Sequence, residues 1–116
     1  MSTVLVVEDY AALRLLLRSV LESSGHCVIE AADGIQAIKA CAGCPIDVLV
    51  CDFLLPDMTA SDVVAIALKS NPRLKVLVMS GEPERSIRCA GISDRCQVIT
   101  KPFQLSDLVR MIEESR

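Results

Sequence analysis

The sequence predicts an α/β domain in which helices cover both faces of a parallel sheet. Short aliphatic runs alternate five times with segments whose apolar residues recur at helical spacing. The short runs are apolar nearly throughout, as expected for strands that are buried on both faces. Helices between successive strands favour right-handed crossovers, which make the strands parallel. Of the 116 residues, 52% are hydrophobic and 3% are aromatic, so the predicted core is aliphatic.

The first half of the chain is predicted to contain three strands and two helices. Apolar residues within 13–21 recur every three or four positions, which indicates one face of a helix that Gly25 can end. Asp33-Gly34 is typical of the start of a second helix, which Pro45 ends. The predicted strands of this half are residues 4–7, 27–29 and 46–51.

The second half continues the same alternation. Thr59 with Asp62 three residues later resembles a capping box, and Pro72 ends the helix that begins there. Residues 82–96 mix charge, cysteine and glycine, and only a short helix is predicted within 82–90. The remaining predicted elements are strands 74–79 and 97–100 and a helix over 105–112. With no repeat or linker, residues 1–116 are interpreted as a single domain.

The charge balance disfavours nucleic acid and membranes as partners. The net charge is −3, from 12 basic and 15 acidic residues, so direct DNA binding by this segment is not expected. No apolar stretch approaches the roughly 18 residues of a membrane span. The first residues lack the basic region and apolar block of a signal peptide, which favours the cytoplasm.

The six cysteines are interpreted as reduced thiols, because disulfide frameworks belong to small secreted chains with weak cores. Cys27 and Cys51 lie in apolar runs and are expected to act as small hydrophobes. The spacing of Cys41 and Cys44 matches a C-x-x-C pair. Because no second pair accompanies it, a structural or incidental role is favoured.

Polar side chains follow four of the five predicted strands. They are Glu8 and Asp9, Asp52, Ser80, and Lys101. If the first and third strands are neighbours about 4.8 Å apart, their carboxylates crowd together and require a cation. Oxygen ligands suit Mg²⁺, and a carboxylate beside it can attack phosphorus while a lysine stabilises the phosphoryl oxygens. The pattern therefore predicts phosphoryl transfer at this edge of the sheet.

Five short segments in order resemble the signature of bacterial two-component receiver domains. They are Val4 to Asp9, Asp52, Leu55-Pro56-Asp57-Met58, Met79-Ser80-Gly81 and Lys101-Pro102-Phe103. The resemblance covers nearly the whole chain. Residues 75–81 and 101–103 look most like the receivers at the ends of hybrid sensor kinases. It implies a flavodoxin-like (βα)5 sandwich with strand order 2-1-3-4-5, acting as a signalling module and not as an enzyme.

The resemblance also implies the role of each site residue. Asp52 would accept a phosphoryl group from a histidine kinase or phosphotransfer protein. Asp9, Asp52 and the backbone carbonyl of Leu54 would ligate Mg²⁺, and Glu8 would act mainly through water. Ser80 would move toward the phosphoryl group on activation.

Lys101 would contact the phosphoryl group directly, and the Lys101–Pro102 peptide bond is expected to be cis. Activation would then change the surface around the fourth helix, fifth strand and fifth helix.

The chain departs from the family pattern at three places. Val98 replaces the usual aromatic three residues before the lysine, so coupling of Ser80 to the fourth helix is expected to be weak or different. Ala60 replaces the usual glycine of the loop after Asp52, which puts the loop geometry in question. Residues 82–96 match the usual fourth helix poorly. A weak homodimer through the fourth and fifth elements is left open.

Other functions are disfavoured by what the sequence lacks. A flavin carrier would need stacking aromatics, and a dehalogenase-type phosphatase would need an acid where Leu54 stands. A dinucleotide-binding domain would need G-x-G-x-x-G, which is absent. The alternative that remains is a degenerate receiver that acts as a phosphorylation-independent interaction module, for which Val98 is the supporting feature.

The remaining polar residues are interpreted as solvated. His26 and Asp57 are expected in surface turns. Arg85 and Arg88 are expected on an exposed helix face, and a contact of these arginines with a partner is left open. Leu54 should flank the path of attacking water, and because it cannot orient that water, slow self-dephosphorylation is predicted.

Overall fold

A computed structural model describes residues 2–114, in which strands and helices alternate as predicted. The strands are β1 Thr3–Val7, β2 Cys27–Ala31, β3 Val48–Asp52, β4 Lys75–Ser80 and β5 Gln97–Thr100. The helices are α1 Ala11–Ser23, α2 Gly34–Gly43, α3 Ala60–Ser70, α4 Glu84–Cys89 and α5 Leu105–Glu113. Within residues 2–114, none of the helices combines the length and the hydropathy that a membrane span requires.

The five strands form one parallel sheet in the order β2-β1-β3-β4-β5, which confirms the predicted fold class and strand order. The chain places β2 on one side of β1 and β3 on the other, so the strand order reverses at β1. In such sheets the crevice for ligands lies beyond the carboxyl ends of the strands at this reversal. Residues that directly follow β1 and β3 therefore share one edge.

Two hydrophobic layers lie on opposite faces of the sheet. Val4 and Val6 contribute to the layer beneath α1 and α5, whereas Leu5 and Val7 face the layer that includes α2 and α3. Successive side chains of a strand point to opposite faces, and both faces are covered here. This is why the strands are apolar without alternation, as β1 is from residue 4 to 7.

Local capping signals set the starts and ends of several helices. The Asp33 carboxylate accepts the Gln36 N–H at 2.8 Å and begins α2, and the Thr59 hydroxyl accepts the Asp62 N–H at 3.1 Å before α3. Gly25 has φ +92° after the last turn of α1, a conformation that glycine adopts without strain. These boundaries agree with the sequence signals.

Two residues at the amino-terminal ends of strands bind the end of α5. They are His26, directly before β2, and Lys75, the first residue of β4. His26 is only 9% exposed, so its prediction as a solvated residue is wrong. Its Nδ1 accepts the Ser2 N–H at 3.1 Å, and its Nε2 lies 2.9 Å from the Glu113 carboxylate. Lys75 is also buried and donates to the Glu114 carbonyl at 2.7 Å. Both contacts join segments far apart in the chain, which no local pattern reveals.

The prediction that Arg88 lies on a solvated helix face is also wrong, because Arg88 of α4 is half-buried. Its Nη2 donates to the Glu84 carboxylate at 2.8 Å and to the Cys96 carbonyl at 2.8 Å. Arg85 is exposed, as expected. Arg88 therefore ties the short α4 to the segment before β5.

The cysteines fall into two groups. Cys51 and Cys96 are buried, whereas Cys27 is exposed on the edge strand β2, so the interpretation of Cys27 as a small hydrophobe within an apolar run is wrong. None of the six cysteines, which all lie within residues 2–114, forms a disulfide. Burial raises the pKa of the half-buried Cys41 thiol, which makes it a poor nucleophile.

Two arginines of α1 bind one glutamate of β2. Glu30 accepts from Arg14 Nε at 3.0 Å and from Arg18 Nη1 at 2.7 Å. The hydrogen bond from Arg18 is the largest cause that holds the pKa of Glu30 below its usual value; burial opposes it and Arg14 adds to it. The cluster fastens α1 to the edge of the sheet.

Glu30→Gln should lower the free energy of unfolding by less than about 1 kcal/mol at neutral pH. Because the folded pKa is lowered, the stabilisation exists above the unfolded pKa of about 4.3 and is lost as the pH falls through the folded value. Urea unfolding of both proteins at neutral and acidic pH measures the difference. Glu22→Gln, which removes the more exposed partner of Arg18, is the control and should have a smaller effect. A difference that grows in acid would contradict the prediction.

Candidate functional site

Three carboxylates meet where the strand order reverses. The register pairs Val7 with Cys51, so Glu8 and Asp52 follow at the same edge of the sheet. Glu8, Asp9 and Asp52 each offer a carboxylate oxygen, and these oxygens all lie within 4.8 Å of one another. Glu8 is 1% exposed and Asp52 7%, whereas Asp9 is exposed. The predicted crowding is thus observed, with one side of the cluster open to solvent.

Lys101 lies between two of these carboxylates. Its Nζ is 3.2 Å from Glu8 Oε1 and 3.3 Å from Asp52 Oδ2. The residue directly follows β5, and its backbone N–H donates to the Ser80 carbonyl at 2.7 Å. The Lys101–Pro102 peptide bond is cis, as expected. The fifth strand therefore delivers one cation to the carboxylates of the first and third strands.

Burial and charge act in opposite directions on these groups. Burial raises the pKa of Glu8, and the charge of Asp52 adds to this, although the Tyr10 N–H and Lys101 oppose it. Burial lowers the pKa of Lys101, but the charges of Asp52 and Glu8 outweigh it, so the net shift is upward. Lys101 thus remains a cation at neutral pH, and one cation faces three acidic groups.

The donor set fits a divalent cation that prefers oxygen. Mg²⁺ binds carboxylate and carbonyl oxygens and keeps several waters. Glu8, Asp9 and Asp52 supply the carboxylates, and the exposure of Asp9 leaves room for water. The cluster also contains more negative charge than Lys101 neutralises, which a cation would offset.

Ser80 and Leu54, the other two predicted site residues, lie next to the carboxylate cluster, but their side chains form no hydrogen bond with it among the contacts of residues 2–114. The Ser80 side chain is fully buried; its hydroxyl donates to the Glu82 carbonyl at 3.0 Å and accepts the Glu82 N–H at 2.9 Å. The hydroxyl is therefore engaged within its own turn. The Leu54 N–H lies 3.4 Å from Asp52 Oδ1, and its side chain is 69% exposed.

Two residues near the site were missed or misinterpreted from sequence. Arg14 Nη1 donates to the Glu8 carbonyl at 2.8 Å and so fixes the backbone that presents the carboxylates. The sequence feature that could have indicated this role of Arg14 is its position, as a cation in the first turns of the helix that follows Glu8 and Asp9. Asp57 is exposed, as expected, but it accepts the Gly34 N–H at 2.8 Å. That partner lies 23 residues away, so no local pattern could indicate it.

The departures from the receiver pattern at Ala60 and Val98 do not strain the backbone dihedral angles. Among residues 2–114 no residue other than glycine has a positive φ, so Ala60 at the start of α3 requires no strained conformation. Val98 is half-buried and packs against the layer formed with α2 and α3.

Comparisons with known proteins give a consistent result. A family model described as the response regulator receiver domain matches residues 4–113. The probable transcriptional regulatory protein TcrX of Mycobacterium tuberculosis is 35% identical over 108 residues, covering 92% of this chain and 46% of that protein. The sensor kinase CckA of Brucella abortus is 31% identical over 116 residues, covering 97% of this chain and 12% of that protein. The chain therefore spans less than half the length of either relative.

A solved structure supports the same fold. The chemotaxis protein CheY4 of Vibrio cholerae superposes with a TM-score of 0.89 at 24% identity, and the match covers 97% of both chains. At this identity the likeness concerns the fold alone.

Asp9→Asn should raise the Tm of the metal-free protein by about 2 °C, because it relieves repulsion among the three carboxylates. The gain should shrink as salt screens the charges. Added Mg²⁺ should stabilise the wild type and leave Asp9→Asn nearly unchanged, since binding to the folded state raises the Tm. Thermal unfolding with and without Mg²⁺ measures this. Asp94→Asn, an exposed carboxylate outside the cluster, is the control. Equal Mg²⁺ stabilisation of wild type and Asp9→Asn would contradict the prediction.

Proposed function

The chain belongs to the response regulator receiver domain family, and we propose that it is the phosphoacceptor of a two-component relay, with Asp52 as the residue that is phosphorylated. Receiver domains are signalling modules of such systems. The observation that carries the proposal is the juxtaposition of Asp52 with two further carboxylates and Lys101. The donor is a histidine kinase or a phosphotransfer protein.

Asp52 is the nucleophile of the proposed reaction. One carboxylate oxygen attacks the phosphorus of a phosphohistidine, an oxygen–phosphorus bond forms, and the phosphorus–nitrogen bond breaks. The imidazole nitrogen keeps the bonding electron pair and takes a proton from solvent. The product is an acyl phosphate on Asp52. Asp52 itself is 7% exposed, and the donor would approach from the side of the exposed Asp9.

The residues around Asp52 hold the charge that transfer requires. Asp9, Asp52 and the Leu54 carbonyl would hold Mg²⁺, with Glu8 acting through water. When bound, Mg²⁺ neutralises charge on the phosphoryl oxygens. Lys101 supports this role, since its Nζ already lies 3.3 Å from Asp52 Oδ2 and can pair with a phosphoryl oxygen instead.

Ser80 links the modification to the surface. To donate to a phosphoryl oxygen, its hydroxyl must leave both backbone partners on Glu82. This would free the segment between β4 and α4 and alter the surface around α4, β5 and α5. Val98 cannot add the movement of an aromatic ring, so Ser80 and its turn carry the change. Direct DNA binding is not part of this function, because the net charge is −3.

Acetyl phosphate should add one phosphoryl group to the protein in the presence of Mg²⁺, because the donor set and Asp52 suffice for transfer to a carboxylate. Intact-protein mass spectrometry measures the gain. The gain should disappear without Mg²⁺ and in Asp52→Asn, whereas the control Asp94→Asn should be labelled like the wild type. No labelling of a folded wild type, under conditions that label another receiver, would favour a degenerate receiver that acts by phosphorylation-independent interaction.

Leu54→Asn should shorten the lifetime of the acyl phosphate by about tenfold at most, the equivalent of one hydrogen bond that orients the attacking water. The wild-type side chain is apolar and exposed beside Asp52, so it offers no such bond. The decay of the phosphorylated mass after donor removal measures the rate. Leu15→Asn makes the same change at another exposed leucine and is the control. A rapid wild-type decay that Leu54→Asn leaves unchanged would contradict this prediction.

A further inference from the structure

The loop between β3 and α3, residues 53–59, carries the Leu54 carbonyl that is a proposed Mg²⁺ ligand. Its first residue is fixed to the sheet, because the Phe53 N–H donates to the Met79 carbonyl at 2.8 Å. Its last residue, Thr59, caps α3. The Leu54 side chain is 69% exposed, so packing does little to fix its backbone. The position of its carbonyl depends on what restrains the middle of the loop.

Asp57 supplies that restraint by binding the start of α2. Its two carboxylate oxygens accept the Gly34 N–H at 2.8 Å and the Ile35 N–H at 3.0 Å. These are among the first N–H groups of a helix, which have no partner within it. The N–H of Gly34 is the largest cause that holds the pKa of Asp57 below its usual value. Asp33 caps the same helix independently, through the Gln36 N–H.

Met58 adds a packing contact at the same place. A Cβ on Gly34 would lie 2.2 Å from Met58 Cγ, which is closer than side chains can approach. The loop and the first residue of α2 are therefore in direct contact. Two consecutive loop residues, one polar and one apolar, thus hold the middle of the loop against α2.

We propose that Asp57 is a positioning residue for the cation site, which holds the Leu54 carbonyl in place by fastening the loop to α2. This inference rests on the proposed function, because it assigns the Leu54 carbonyl to Mg²⁺. A ligand group must be held to within about 0.5 Å to bind well. Asp57 lies three residues from Leu54, and without it the loop between its two ends is held by the apolar packing of Leu55 and Met58, with no polar anchor to α2.

The test compares two carboxylates that cap the same helix. Asp57→Ala should raise the Kd for Mg²⁺ at least about tenfold, as removal of a residue that supports a metal ligand commonly does. Asp33→Ala removes the same charge and a cap of α2 but does not touch the loop, so its Kd should stay near the wild-type value. Isothermal titration with MgCl₂ measures Kd. Asp57→Asn keeps an acceptor oxygen and should recover most of the affinity.

A second measurement needs no metal. Amide hydrogen exchange in residues 53–58 should accelerate in Asp57→Ala and not in Asp33→Ala. Equal effects of the two alanine variants, or an unchanged Kd in folded Asp57→Ala, would overturn the proposal. If Asp57→Ala does not fold, Met58→Ala, which removes the neighbouring packing contact between the loop and α2, is measured in the same way and should raise the Kd. A wild type that binds no Mg²⁺ would overturn the proposed metal site, and the exchange comparison would still decide whether Asp57 anchors the loop.

Discussion

The ion pairs of Lys101 with Glu8 and Asp52 hold together the edge of the sheet where the site lies. Two nearly buried carboxylates would repel each other and lose hydration without a partner. The Nζ of Lys101, at 3.2 and 3.3 Å from them, supplies one positive charge to both. The remaining negative charge, with the exposed Asp9 beside it, is consistent with the proposed cation and phosphoryl group at this edge. The same lysine thus stabilises the resting site and takes part in the proposed chemistry.

The sheet explains why these groups can meet. Its strands are covered on both faces and their interiors are aliphatic, so ionisable side chains collect where the strands end. Parallel strands end at one edge, and the reversal of strand order at β1 opens a crevice there. Three segments distant in sequence therefore contribute to one site, while helix and loop contacts such as Arg14 to Glu8 and Asp57 to α2 hold its backbone.

Two of the three departures from the receiver pattern, Val98 and residues 82–96, lie in or beside α4. Val98 is smaller than the usual aromatic, and α4 has only six residues, held to the segment before β5 by Arg88. Under the proposed function, these contacts of Arg88 would resist a change that spreads from Ser80 through α4. The residue types that the proposed phosphoryl transfer requires are present at the strand ends, and the departures from the receiver pattern lie outside them, at Val98, Ala60 and residues 82–96.

The sequence by itself determined the order of the elements, the parallel sheet and the position of each acidic and basic group at a strand end. Hydrophobic periodicity and capping signals act over a few residues, so they can be recognised without the fold, as at Asp33 and Thr59. Only the tertiary structure decided that His26 is buried against Glu113, that Arg88 binds the Cys96 carbonyl and that Asp57 caps α2. Two of these contacts join residues 87 and 23 positions apart, and Arg88 crosses from a helix to the segment before the next strand. These contacts form only when the helices and strands pack together. The sequence around an isolated polar residue in a turn or on a short helix therefore does not indicate which residue it will contact.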